Sequence, residues 1–251
     1  MDLAGKTAFV TGGSGDIGGA IARALAAAGA DVAVSYVGNP EGAQGSVDAV
    51  KAAGRRSAAV QLDQRDTASI DASVGAVMEH FGRVDILINN AAWNIGIRFP
   101  DLDALTPEIW DRVHETNLRG PFLLARAFAM QLRTHKAGRI VNVASVAGLF
   151  PGGSSIAYAA SKAGLIHLTR CLAVALAPDI AVNCIAPGLV EGTRMAQRLP
   201  EEMAAMARRQ AVLGRTASAK DIAAQAVAFC QADSVTGQVL VIDGGMPGSM
   251  H

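Results

Sequence analysis

Tyr158 and Lys162 stand four residues apart in the run YAASK (158–162), a spacing that brings both side chains to one face of a helix. That pairing has a chemical use. A free tyrosine holds its proton to about pH 10, and a neighbouring ammonium stabilises the phenolate, so the hydroxyl comes within reach of proton exchange with an alcohol or a carbonyl. Lys162 is thus expected to depress the tyrosine pKa. Ser145 ends the strand-like run RIVNVAS (139–145), thirteen residues before the tyrosine. A hydroxyl there would hydrogen-bond an oxygen on which charge develops. Asn117, in NLRG (117–120), falls within a long helical segment, where an amide beside a polar site holds a water or interrupts the hydrogen-bond ladder. Taken singly, each has an ordinary reading as a chance spacing, a strand end or a surface amide.

The elements that would position these groups follow from the pattern of apolar runs. Short β-branched stretches recur at TAFVT (7–11), DVAVSY (31–36), SAAVQLD (57–63), VDILINN (84–90), RIVNVAS (139–145), IAVNCIA (180–186) and QVLVID (238–243), and predict seven strands. Ala-rich helical stretches lie between them. In IGGAIARALAAAG (17–29), Ile17, Ile21 and Leu25 recur every four residues and Gly29 supplies a stop. Strands apolar on both faces and alternating with helices predict a parallel sheet covered on each side, a Rossmann-type doubly wound α/β fold. In such sheets ligands bind outside the carboxyl ends of the strands. At 251 residues, without a linker-like tract or internal repeat, the chain reads as one dinucleotide-binding catalytic domain, 1–251.

The first strand runs into TGGSGDIG (11–18), which sets Gly12 and Gly18 between a strand and a helix start. Backbone amides can approach a pyrophosphate there, and the helix N-terminus favours its negative charge. After the second strand come Ser35, Tyr36, Val37, Gly38 and Asn39, with neither the acid that binds ribose hydroxyls of NAD nor the base that accepts the extra phosphate of NADP. With no cation evident for that phosphate, NAD is favoured.

In this order and on this architecture, Asn117, Ser145, Tyr158 and Lys162 resemble the Asn-Ser-Tyr-Lys tetrad of the short-chain dehydrogenase/reductase family. The glycine-rich loop resembles that family's TGxxxGxG, with Asp16 in place of the middle glycine. Asp tolerates left-handed backbone angles, so the turn can survive, but a carboxylate near phosphates costs binding unless it points away. NNAA (89–92) resembles the family's NNAG, Asp63 its adenine-contacting Asp, APG (186–188) the end of its sixth strand and IDGG (242–245) its closing VDGG. The stretch 38–54 looks like that of 3-oxoacyl carrier-protein reductases and glucose dehydrogenases.

The resemblance implies an NAD(P)-dependent oxidoreductase that interconverts a secondary alcohol and a ketone. Tyr158 would move the proton, Ser145 orient the substrate oxygen, Lys162 hold the nicotinamide ribose, and Asn117 support a water leading to Lys162. The coenzyme would contact Gly12, Ser14, Asp16, Ile17, Gly18, Tyr36, Asp63, Asn89, Ala91, Tyr158, Lys162, Pro187, Gly188, Val190 and Thr193, the last two at the carboxamide. The substrate would meet Ser145, Tyr158, Trp93, Phe150 and a segment around 189–215. A mostly apolar lining favours an uncharged alcohol or ketone, with sugars, cyclic diols and acyl thioesters all open. Arg98, Arg194 and Arg198 are expected on the solvated surface. A homo-oligomer, dimer or tetramer, is expected, with Ala159, Ala160, Ala163 and Gly164 allowing close helix packing. The alternative is a catalytically silent nucleotide-binding or scaffold protein on the same fold.

Composition narrows the field of partners. Lys plus Arg and Asp plus Glu number 22 each, which leaves no global field for nucleic acid or anionic lipid. Cys171, Cys184 and Cys230 form no metal-ligand spacing and read as buried thiols of a reducing, cytoplasmic setting. The apolar region 139–190 is interrupted by Lys162, His167 and Arg170, so no membrane span is expected.

Overall fold

A computed structural model describes residues 1–249, except the side chain of Arg198; Met250, His251 and the expectation for Arg198 lie outside what is described. Seven strands form: β1 (Thr7–Val10), β2 (Asp31–Tyr36), β3 (Ser57–Gln61), β4 (Ile86–Asn89), β5 (Gly138–Val143), β6 (Ile180–Pro187) and β7 (Val239–Ile242). They make one sheet in the order β3-β2-β1-β4-β5-β6-β7. Every neighbouring pair is parallel. The order reverses between β1 and β4, so their carboxyl ends diverge into a crevice of the kind in which dinucleotides bind.

Burial explains the apolar runs. In β1, Ala8 and Val10 join one core with Ile21, Leu25, Val34 and Phe229, while Phe9 joins the other with Leu87, Leu124, Phe128 and Ile140. Alternate side chains thus serve opposite faces, and both faces are dry. Helices α1 (Asp16–Ala27), α2 (Pro40–Ala52) and α8 (Ala219–Gln231) supply the first core; α3 (Thr67–Phe81), α5 (Gly120–Arg133) and α6 (Ile156–Leu176) supply the second. The remaining helices are α4 (Pro107–His114), which leads into the turn carrying Asn117, and α7 (Glu201–Gln210), which follows the sixth strand.

Two sequence expectations change here. The fifth strand stops earlier than its apolar run, so Ser145 lies two residues past the end of β5 rather than closing it. The long helix expected after β4 runs from 107 to 133, and its ladder is interrupted around Asn117 as expected, by a π-helical turn over Glu115–Arg119 between α4 and α5. Pro121 explains the break: without an N–H it cannot donate to the carbonyl of Asn117 four residues back, and the ladder widens around that residue. Cys171 is exposed, whereas Cys184 and Cys230 are buried as expected.

Helix α6, at 21 residues and a mean hydropathy of 1.2 over its most apolar window, is long and apolar enough to cross a membrane. It is nevertheless a core helix, burying Leu165, Ile166, Leu172 and Leu176. Gly164 packs against Leu118 of the same chain, where a Cβ would come within 2.9 Å of a Leu118 methyl. Ala163 and Val174 face outward.

Candidate active site

The loop after β1 is shaped by close approach. Gly12 adopts a left-handed φ of 65°, and a Cβ on it would stand 2.9 Å from the Ala91 Cα. A Cβ on Gly18 would stand 2.4 Å from the Gly12 carbonyl oxygen. The turn folds on itself only because both lack side chains. Gly18→Ala should therefore lower unfolding stability by about 1–3 kcal/mol, read from the denaturant midpoint; an unshifted midpoint would show that the turn relaxes freely. Gly15 precedes α1 as its N-cap and offers no side chain, so the amides of the first turn stay open to an anion.

Asp16 is the first residue of α1 and has ordinary helical geometry, so its tolerance of left-handed angles plays no part. Its carboxylate accepts a hydrogen bond from the Arg194 amide at 2.8 Å and lies 3.6 Å from Arg194 Nε. Arg194 Nη2 in turn donates to the Ser14 carbonyl at 3.1 Å. Arg194 lies on the solvated surface as expected, and from there it joins the glycine-rich loop to the segment after β6. Asn39 caps α2 by accepting from the Gly42 amide at 3.0 Å, and its amide nitrogen also reaches the Ser14 carbonyl at 3.3 Å.

Across the crevice, Asn90 donates through Nδ2 to the carbonyls of Thr11 and Gly12, at 2.9 and 3.3 Å. Asn89 is buried below the sheet end and donates to Asn142 Oδ1 at 2.8 Å. The cleft thus takes Asn90 and not, as expected, Asn89. Neighbouring strand residues point to opposite faces, and the doublet alone does not say which faces the ligand.

Asp63 accepts both Nε and Nη2 of Arg65, at 3.0 and 2.6 Å. That bidentate hydrogen bond holds its carboxyl below the usual range, with help from the charges of Arg65 and Arg112 and against the effect of burial. Arg112 lies 4.3 Å over the Trp93 ring. Gln64, overlooked in the sequence, is buried and donates to the carbonyls of Ala91, at 3.1 Å, and Thr116, at 2.6 Å. It ties the segments after β3 and β4 to the π-helical turn, and only its apolar-strand neighbourhood marked it.

Of the four positions, Ser145, Tyr158 and Lys162 line one cleft, and Asn117 lies behind its wall. Ser145 accepts from the Ala147 amide at 3.2 Å and approaches the Pro187 carbonyl at 3.4 Å. Ser155 caps α6 by accepting from the Tyr158 amide at 3.1 Å, which fixes where the helix starts and so where Tyr158 points. Lys162 is 2% exposed, donates through Nζ to the Val143 carbonyl at 2.8 Å and lies 5.7 Å from the Tyr158 ring centre. Asn117 accepts from the Trp93 amide at 2.8 Å and donates to the Trp93 carbonyl at 2.9 Å and to Ser161 Oγ at 3.2 Å. Its side chain braces the post-β4 segment against α6; it does not touch Lys162.

Burial pushes the Tyr158 phenol up, an effect only partly offset by the Ser145 hydroxyl. The expected depression by Lys162 is therefore not what dominates in the free chain. Lys162 itself is pushed down to about 8, chiefly by burial.

One cleft of about 660 Å³ gathers Gly12, Ser14, Asp16, Ile17, Gly18, Tyr36 and Asp63 with Ala91, Trp93, Ser145, Tyr158, Lys162, Pro187, Gly188, Val190 and Thr193. Thr193 is buried and donates to the Val190 carbonyl at 2.8 Å while accepting from the Ala196 amide at 3.2 Å, so its hydroxyl is spent within its own segment. Phe150 is not among the lining residues and packs beside Gly152. The expected segment 189–215 contributes only its first part, from Leu189 to Ala196, while α7 is held aside by Arg208 bridging Glu191 and Glu201.

A glycine-lined crevice at the strand-order reversal, opening onto a Tyr–Lys helix, defines a dinucleotide-dependent oxidoreductase. Comparison with known proteins agrees. A family model described as Enoyl-(Acyl carrier protein) reductase matches residues 13–247. The 3-oxoacyl-[acyl-carrier-protein] reductase of Escherichia coli is 38% identical over 253 residues, covering 98% of this chain and 99% of that protein. The 3beta-hydroxysteroid dehydrogenase 1 of Eggerthella lenta is 40% identical over 250 residues, covering 98% and 95%. Among solved structures, NAD+-bound xylitol dehydrogenase superposes with a TM-score of 0.91 at 29% identity, covering 98% of this chain and 100% of the other. A dehydrogenase/reductase from Sinorhizobium meliloti superposes at 0.89 with 38% identity, covering 98% and 96%. The chain belongs to the short-chain dehydrogenase/reductase family.

Proposed function

We propose that this chain interconverts a secondary alcohol and its ketone by hydride transfer with a nicotinamide dinucleotide, and that Tyr158 is the general acid and base. One observation carries the reading: Tyr158, Ser145 and Lys162 share a single cleft with the glycine turn and the uncapped start of α1. The cradle fits a dinucleotide, because Gly12 and Gly18 let the turn fold tightly against Ala91 and itself, which leaves the uncapped first-turn amides of α1 facing the cleft where a pyrophosphate would lie. When bound, the nicotinamide supplies or accepts the hydride.

The chain's own residues do the rest. In ketone reduction Tyr158 donates its hydroxyl proton to the carbonyl oxygen, and the raised phenol pKa keeps that proton available. Ser145 donates a hydrogen bond to the same oxygen as negative charge grows on it. Lys162 supplies the positive charge that steadies the phenolate left behind, and it would hold the coenzyme's ribose when the coenzyme is bound. Asn117 holds the main chain of Trp93, and so the wall of the pocket, at a fixed distance from α6. In alcohol oxidation each proton step runs backwards.

The substrate walls are Trp93, Leu189, Met195 and Ala196, with Asn94 donating to Met195 Sδ at 3.6 Å. This supports an uncharged, partly apolar carbinol or ketone. The named relatives act, by their names, on an oxoacyl group on a carrier protein in one case and on a hydroxysteroid in the other. NAD is the coenzyme we favour over NADP. Asn39 is committed to capping, and the Arg65 guanidinium is committed to Asp63. The test of both readings is coenzyme absorbance over a panel of secondary alcohols and ketones, run with each coenzyme. Turnover with a higher kcat/KM for NAD is expected; a strong NADP preference would overturn the coenzyme assignment, and silence across the panel with both would count against the enzyme reading.

A further inference from the structure

The glycine-rich loop carries an acid where an anion must lie, yet the same fold delivers a cation to it from far along the chain. Asp16 and Arg194 are 178 residues apart, and the amide and guanidinium of Arg194 both engage the loop. Arg194 Nη2 also sits 3.9 Å from where a Cβ of Gly15 would be, directly over the uncapped first turn of α1. The guanidinium uses Nη2 on the Ser14 carbonyl and Nε near Asp16, which leaves donors of its fork unspent. Both residues line the cleft that holds Tyr158.

We propose that Arg194 is a phosphate-binding residue for the coenzyme, which Asp16 holds ready over the loop, and that the ligand it takes is the pyrophosphate. This rests on the coenzyme-dependent reading given above. The physical case is a balance of charge. An unpaired carboxylate at the start of α1 would repel a phosphate at close range, and pairing with Arg194 cancels that repulsion. Arg is suited to the exchange, because its planar fork can bond a phosphate oxygen through one edge while keeping the carboxylate on another. Since Thr193 and Val190 precede Arg194 on the same turn, a phosphate drawn to the guanidinium would also seat the segment 189–196 over the cleft. The middle position of the loop thereby exchanges a glycine's close backbone approach for a salt-bridged cation.

The experiment is calorimetric titration of NAD and of NADP into the full-length wild-type chain, Arg194→Ala, Arg194→Lys, Asp16→Gly and the double variant Asp16→Gly/Arg194→Ala, at two salt concentrations. Arg194→Ala should weaken both coenzymes by roughly tenfold, as expected for one charge-assisted phosphate contact, with less salt dependence than wild type. The decisive comparison is in the Asp16→Gly background, where a phosphate-binding Arg194 still contributes and its loss again weakens binding severalfold. If removing Arg194 there changes nothing, the residue only neutralises Asp16 and the proposal is overturned. An effect confined to NADP would move the contact to the 2'-phosphate and overturn the pyrophosphate assignment. Arg194→Lys, which keeps charge but loses the fork, should fall between wild type and alanine and guards against a folding defect. Failure of the wild-type chain to bind either coenzyme would instead sink the coenzyme reading itself.

Discussion

Tyr158→Phe should bind coenzyme as the wild-type chain does and turn over on the order of 10²–10⁴-fold more slowly in both directions. The substitution removes one oxygen and keeps the ring that packs over Gly153, where a Cβ would stand 3.3 Å from the tyrosine edge. The fold should therefore survive, since the backbone of α6 is fixed by the Ser155 cap and by Lys162, neither of which uses the phenol. Stopped-flow absorbance gives the rate and calorimetry the affinity. Turnover within a few-fold of wild type would move the proton transfer to another group.

The second large effect is expected from Lys162→Met. The side chain lies under β5, where it donates to Val143, and its charge is the one nearest the Tyr158 ring. Methionine fills the channel without charge or donor, so kcat/KM for coenzyme should fall by roughly 10²–10³-fold as ribose and phenolate lose their partner. The sign of the pH effect follows from burial. Desolvation lowers the lysine pKa to about 8, so the ammonium is present below that pH and lost as pH rises through it. In the wild-type chain, kcat/KM for coenzyme, which reports ionisations of the free enzyme, should decline above about pH 8. The methionine variant should lose that break. Retention of the same break in the variant would assign it elsewhere.

The parts of this arrangement that were readable in advance are those set by local pattern. Seven strands follow from β-branched runs, the Tyr158–Lys162 pairing from helical spacing and the tight turn from Gly12 and Gly18, because each depends on residues close in sequence. What escaped depends on encounters across the chain. The Asp16–Arg194 pair joins α1 to the segment after β6, and the loop alone showed only an unexplained acid. Gln64 looks like any polar residue after a strand until Ala91 and Thr116 are brought to it. The choice between Asn89 and Asn90 needs the facing of β4, which neighbouring strands determine. The upward shift of Tyr158 was missed for the same reason. Spacing reveals that a lysine is near, but how dry the pair is belongs to the tertiary fold.

The widened turn at Glu115–Arg119 has one more implication. A π-helical turn amounts to one residue inserted into an α-helix, so deleting a single residue there would restore the α-helical phase while Pro121 still left one carbonyl without its donor. The same deletion would swing what lies on one side of it by about 100° relative to the other, since a helix turns once every 3.6 residues. Asn117 would then lose either Trp93 or Ser161. A regular ladder and the bracing of Trp93 against α6 thus make opposite demands on the same five residues.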